Sequence, residues 1–326
     1  MGLRSAGVLA LAFAAAAGAA EQSAPRLALA LLDRGSVEFR SLDGKKLGEA
    51  KTGAGPRALA VSGDRLFVAN RGVGDEPGST VTVVDLGELE PRRTVKLCEG
   101  CAPRGLTFDS QGRLWMAGQA HRALYRVDPP FDDPAGSLLI AWGWPTDVVR
   151  MSGSDLLVVG YRDAGAVAVV DAARQFATRV EVFADPDLLV SPEGRREVWI
   201  ASSRRPGLAR LRPGAKPGEF TAETFDAAGV TGGLGATPDG SRLVRSVVEP
   251  PALVVVDTET GEERGRLTLA ENPGRLAVSS RAPARAAVWL PASRSVAVVD
   301  LSDPAAPRLA GRFAVEAAVG AILFVP

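Results

Sequence analysis

The sequence predicts an all-β fold, a seven-bladed β-propeller with four-stranded blades, on three observations. An apolar run closing on aspartate recurs at a spacing of 43 residues, further strand-like series run in phase with it, and an incomplete N-terminal unit is matched by a lone strand at the C-terminus. Four short strands cannot bury both faces of their sheet alone, so units of this length stack against their neighbours.

The aspartate series sets the register. "STVTVVDLG" ends its apolar run at Asp85, "HRALYRVDP" at Asp128, "GAVAVVDAA" at Asp171, "ALVVVDTET" at Asp257 and "RSVAVVDLS" at Asp300. A degenerate copy, "GLARLRPG" near Arg212, fills the gap, and "SVEFRSLDG" stands one period earlier. A carboxylate at the end of a strand can accept hydrogen bonds from the following turn, so these aspartates are expected to be structural.

Each third strand is preceded by a second: "RLALAL", "RLFVAN", "RLWMAG", "DLLVVG", "EVWIAS", "RLVRSV" and "AVWLPA". All are rich in residues that suit a pleated, buried surface. Phe67, Trp115, Trp199 and Trp289 share one register in this series and are expected between blades. Opening strands such as "RALAVSGD" and "RGLTFDSQG" run into turns of Gly, Asp and Ser, which is hairpin chemistry. A less regular fourth strand, such as "RRTVKL", "SLLIAW" or "RVEVFA", completes the unit. Residues 26–53 lack an opening strand, and the C-terminal "VGAILFVP" is an opening strand with no unit after it. Joined, they make the first blade and remove an exposed sheet edge.

These units resemble the YVTN-type seven-bladed β-propeller repeat family across nearly the whole mature chain. The resemblance rests on "FVAN", Phe67 to Asn70, on "STVTVVDL" beginning nine residues after Asn70, and on a proline before most opening strands, at Pro56, Pro103, Pro145, Pro186 and Pro273. It implies a fold; propellers serve as binding scaffolds, surface proteins and enzyme subunits alike, so it assigns no function.

Residues 1–20 carry Arg4, an apolar run and an Ala-x-Ala ending at Ala17 and Ala19, the pattern of a secretory signal peptide. Residues 21–326 then form a single propeller domain, soluble in the periplasm or secreted, with no membrane span once the signal is removed. The 38 basic and 38 acidic residues balance, which signals no nucleic-acid partner.

Loops that join strand four to the next strand one, and strand two to three, share one face, where binding sites form. That face is expected to carry Arg71, His121, Arg122, Trp142, Trp144, Tyr161 and Arg162, with Arg34, Arg204, Arg205 and Arg294 from other units. Its arginines would draw a small anionic ligand or an acidic partner protein, and Trp142 and Trp144 lie outside the tryptophan register of the core.

The inventory disfavours an enzyme: one histidine, no nucleophile-elbow motif and no phosphate-cradling Gly-rich loop before a helix. Cys98 and Cys101, in "CEGCAP", are the only cysteines, and Ala102 stands where c-type haem attachment needs His. In an exported protein the pair is expected to oxidise to a disulfide staple. The alternative is a metal-handling or redox protein, or a subunit of a periplasmic oxidoreductase, in which Cys98, Cys101 and His121 meet on one rim and hold Cu(I), or Zn with a fourth ligand.

Overall fold

The computed structural model describes residues 25–140 and 142–326; the expected leader, residues 1–20, lies outside them. Among the described residues every regular element is a β-strand, and all are arranged in five four-stranded sheets and one seven-stranded sheet. Each sheet but one follows chain order from an opening strand outward. The exception is assembled from both ends of the chain: Val319–Val325 pairs antiparallel with Arg26–Leu31, Leu27 opposite Phe324 and Leu29 opposite Ile322. Opening strands touch in succession, Pro56–Ser62 with Pro103–Phe108, then Pro145–Arg150, Leu188–Val190, the C-terminal half of Phe220–Ala236, Leu276–Val278, Val319–Val325 and again Pro56–Ser62.

One expectation needs correction. The fifth and sixth units are not separate four-stranded sheets, because Phe220–Ala236 runs 17 residues without a break. Its first part pairs with Pro206–Pro213 as the outer strand of one unit, and its last part with Arg242–Val247 as the opening strand of the next. The cause is local. No proline precedes this opening strand, and the chain passes the junction at Gly229, with φ 77°, where an added Cβ would lie 2.5 Å from the Glu249 carbonyl oxygen.

The core lies between sheets. Phe67 packs with Leu114 and Met116 of the next sheet, Trp115 with Leu157 and Val159, Trp199 with Leu243 and Val254, and Trp289 with Leu29 and Val319. Where the indole nitrogens have partners they are carboxylates of the same sheet: Trp115 Nε1 donates to Asp109 at 2.8 Å and Trp199 Nε1 to Glu197 at 3.0 Å. Such pairing removes the penalty of burying an indole N–H. The strand-ending aspartates also act locally. Asp85, Asp171, Asp257 and Asp300 accept from backbone N–H groups of Gly87, Arg174, Glu259 and Ser302. Asp128 departs from the series, its carboxylate taking the guanidinium of Arg126 instead.

Candidate functional site

A cavity of about 340 Å³ opens where the opening strands converge, and every one of them lines it. Leucines at 59, 106, 189, 234, 276 and 323 supply the apolar wall. The polar groups stand at the entry ends of the strands, beside the prolines: Arg57 follows Pro56, Arg104 follows Pro103, Asp147 stands two after Pro145, Asp187 follows Pro186, and Arg275 stands two after Pro273. A register shift just after Pro56, Pro103 and Pro145 breaks the ladder and turns the next side chains toward the cavity.

Arg104 is 6% exposed. Burial pulls its guanidinium down to about 9, and repulsion from Arg57, Arg162, Arg275 and Arg71 adds to the effect. Arg57 is pulled down to about 10 by burial and by the charges of Arg275, Arg71 and Arg162. Arg162 lies below its ordinary value, chiefly through burial and then through Arg204. The charges of Arg71 and Arg275 thus act on Arg57, Arg104 and Arg162 alike, while two carboxylates, Asp147 and Asp187, line the same space as Arg57, Arg104 and Arg275.

Direct ion pairing with these carboxylates is sparse. Among the described residues Arg162 alone of the five has one within ion-pairing distance, Asp187 at 3.8 Å. Asp187 is otherwise engaged by Ser203, accepting from its backbone N–H at 2.7 Å and its hydroxyl at 2.6 Å. Asp147 accepts from the N–H groups of Val148 and Leu189 at 2.9 and 3.1 Å, and burial pushes its carboxyl up to about 6. Nε of Arg57 and of Arg162 is buried without a hydrogen-bond partner. A buried guanidinium without a hydrogen-bond partner is costly to the fold, which makes this cavity the candidate site.

A second cleft, of about 380 Å³, adjoins on the loop face, lined by Arg71, Gly74, Asp75, Pro77, Ala102, Gln119, Ala120 and Trp144. The Cys98–Cys101 disulfide, Cα–Cα 5.8 Å, fixes its wall. Gly100 and Ala102 take φ of 65° and 51° to close the turn, and their N–H groups donate to Ser79 Oγ at 2.8 Å and to the Gly78 carbonyl at 2.9 Å.

The residues expected on the loop face divide. Arg71 and Arg162 join the arginine group, and Trp142 and Trp144 are 37% and 49% exposed. His121 and Arg122 are exposed but line neither cavity. Tyr161 is not a surface residue: it is the last residue of Leu156–Tyr161, 0% exposed, with its ring in the core and its hydroxyl unpartnered. Arg34 and Arg205 are engaged by Glu316 and Asp185. Nor are Cys98, Cys101 and His121 brought together as metal ligands. The two sulfurs bond each other, His121 Nδ1 lies 2.5 Å from Tyr125 Oη, and no cluster of three potential ligands stands among the described residues. Arg57, Asp147, Asp187 and Arg275 went unread in the sequence, although each follows an opening-strand proline within two positions.

No family model matches the chain, and no curated protein matches it in sequence. Among solved structures it is similar to a putative 6-phosphogluconolactonase from Bacteroides fragilis, with a TM-score of 0.73 at 14% identity over 94% of this chain and 99% of that one. It is also similar to hydrazine synthase from Kuenenia stuttgartiensis, TM-score 0.67 at 17% identity over 82% and 89% of the two chains. A catalytically inactive histidine-to-alanine variant of virginiamycin B lyase from Staphylococcus aureus, bound to quinupristin, gives a TM-score of 0.64 at 12% identity over 79% and 86%. At these identities the likeness establishes the fold alone: the chain is an all-β protein of the β-propeller type.

Proposed function

We propose that the units close into a seven-bladed ring of the YVTN type, and that the protein is a periplasmic or secreted binding scaffold that holds a small anion in the arginine-lined cavity. Support for the ring comes from the succession of opening-strand contacts and the pairing of Val319–Val325 with Arg26–Leu31. The observation that carries the anion is the set of guanidiniums at Arg57, Arg71, Arg104 and Arg275, which have no carboxylate within ion-pairing distance among the described residues although Arg104 is buried. An anion would satisfy donors whose burial otherwise costs the fold. The disulfide and the leader-like residues 1–20 support export.

Binding is better supported than catalysis. The inactive lyase variant lacks a histidine, whereas this chain's single histidine, His121, lies outside the cavity. Redox chemistry at Cys98 and Cys101 is less well supported, because Cys101 is fully buried and a thiolate there needs access.

Titration calorimetry of the purified chain with sulfate, phosphate and citrate tests the reading. Saturable binding that weakens with added salt is expected, and Arg104→Gln and Arg57→Gln should each cost roughly 10- to 100-fold in affinity, the worth of one charge-assisted contact. Equal affinity in the parent and both variants would remove the cavity from consideration.

A further inference from the structure

The cavity and the cleft beside it are neighbours at three points. Arg71 lines the cleft and its charge acts on Arg57 and Arg104 in the cavity. Ala102 lines the cleft and Arg104, two residues on, lines the cavity; Trp144 and Thr146 repeat that relation on the next loop. An anion seated among the guanidiniums therefore has the cleft as its adjoining space.

The chemistry of the two differs. The cavity offers buried positive charge, whereas the cleft offers Pro77, Ala102, Ala120 and the half-exposed indole of Trp144, with Arg71, Asp75 and Gln119 as its polar groups. Its backbone is held on both sides: the Trp144 N–H donates to Asp163 Oδ1 at 2.7 Å, and the Trp144 carbonyl accepts from the Arg162 N–H at 3.2 Å. Asp163 also stands 2.7 Å from where a Cβ on Gly143 would lie, so the loop is drawn down onto it. The opposite wall is stiffened by the disulfide. An indole on an anchored stretch of backbone, lining a cleft that Arg71 also lines, offers a planar ring a stacking surface with a cation nearby.

Building on the anion-binding reading, we infer that the ligand is an amphipathic aryl anion, whose acidic group enters the arginine cavity while its planar ring lies in the cleft against Trp144. Neither half alone exploits both spaces. A cleft of this size takes one or two fused rings, at the small end of ordinary ligand sites.

A series with one headgroup and growing ring separates this inference from the reading beneath it. Calorimetry with methyl, phenyl and 1-naphthyl phosphate is expected to show affinity rising along the series by about tenfold, the worth of one stacked ring. Trp144→Ala should erase that gain and leave methyl phosphate within twofold, Trp144→Phe should restore most of it, and Trp142→Ala should change nothing. Arg104→Gln should weaken all three ligands together. Equal affinities along the series, or a gain that survives in Trp144→Ala, would overturn the inference and leave the anion site standing. If 1-naphthol bound as tightly as its phosphate, or if no phosphate bound, the anion reading itself would fall and the inference with it.

Discussion

Asp147 shares its cavity with guanidiniums, yet burial pushes its carboxyl up to about 6 against the hydrogen bonds of Leu189 and Val148 and the charge of Arg275, with Asp187 pushing the same way as burial. When it takes a proton the cavity loses a negative charge and its attraction for an anion grows. Sulfate, which keeps its charge across the range, is expected to bind more tightly as pH falls from 7.5 to 5, and Asp147→Asn should flatten that profile. Linkage gives the sign for stability. The value in the folded chain lies above the ordinary 3.8, so between about pH 4 and pH 6 the folded chain holds a proton that the unfolded chain has released. This stabilising contribution is complete at the acid end of that window and is lost as pH rises through about 6; melting of Asp147→Asn against the parent at pH 5 and pH 7.5 checks it. At Trp199 the prediction is mechanical. Truncation to Ala empties a fully buried site and leaves Glu197 Oε1 without its indole donor, a loss of about 3–5 kcal/mol readable by chemical denaturation. Single residues were legible unevenly. Phe67, Trp115, Trp199 and Trp289 could be placed because a shared register implies a shared environment. Arg57 and Arg275 could not, because a lone arginine after a proline looks like any solvated loop residue until the strands converge. Tyr161 misled for a related reason: sheets covered on both faces leave no alternation to say which way the last side chain of a strand turns.

Among elements, the loop Cys98–Cys101 and the strand Phe220–Ala236 show what pattern can and cannot specify. The disulfide closes a very short loop, and in the chain-entropy model it contributes about 2 kcal/mol. Replacing both cysteines by Ser is expected to lower the melting temperature by about 2–5 °C while the sheets persist, with any larger effect on aryl-anion affinity reporting the loosened cleft wall. A pair with two residues between its members could be recognised from sequence; that its turn walls a cleft with Trp144 could not, since the cleft is made by loops more than 40 residues apart. The long strand was hidden because fourth strands carry the weakest repeat signal. Its junction depends on Gly229, where a side chain would meet both an unfavourable φ and the Glu249 carbonyl. Gly229→Ala should destabilise by about 1–3 kcal/mol, against little effect at Gly311, which has open space around it and no left-handed φ.

On the scale of the whole molecule, the sheet built from Val319–Val325 and Arg26–Leu31 ties the two ends of the described chain together. The incomplete first unit and the lone "AILFVP" made that pairing the most legible feature of the fold, because a strand with no hairpin partner has to find one elsewhere. Removing residues 319–326 is expected to abolish cooperative unfolding, since it strips the partner from Arg26–Leu31 and uncovers Leu27, Leu29 and Leu31; a truncated chain that melts like the parent would refute this. The same pairing carries a consequence for biosynthesis. Residues 26–31 leave the ribosome almost three hundred positions before the segment that covers them, so the earliest strand waits through nearly all of synthesis with an unsatisfied edge. Closure of that sheet therefore waits for the last strand to be made, however early its other three strands take shape.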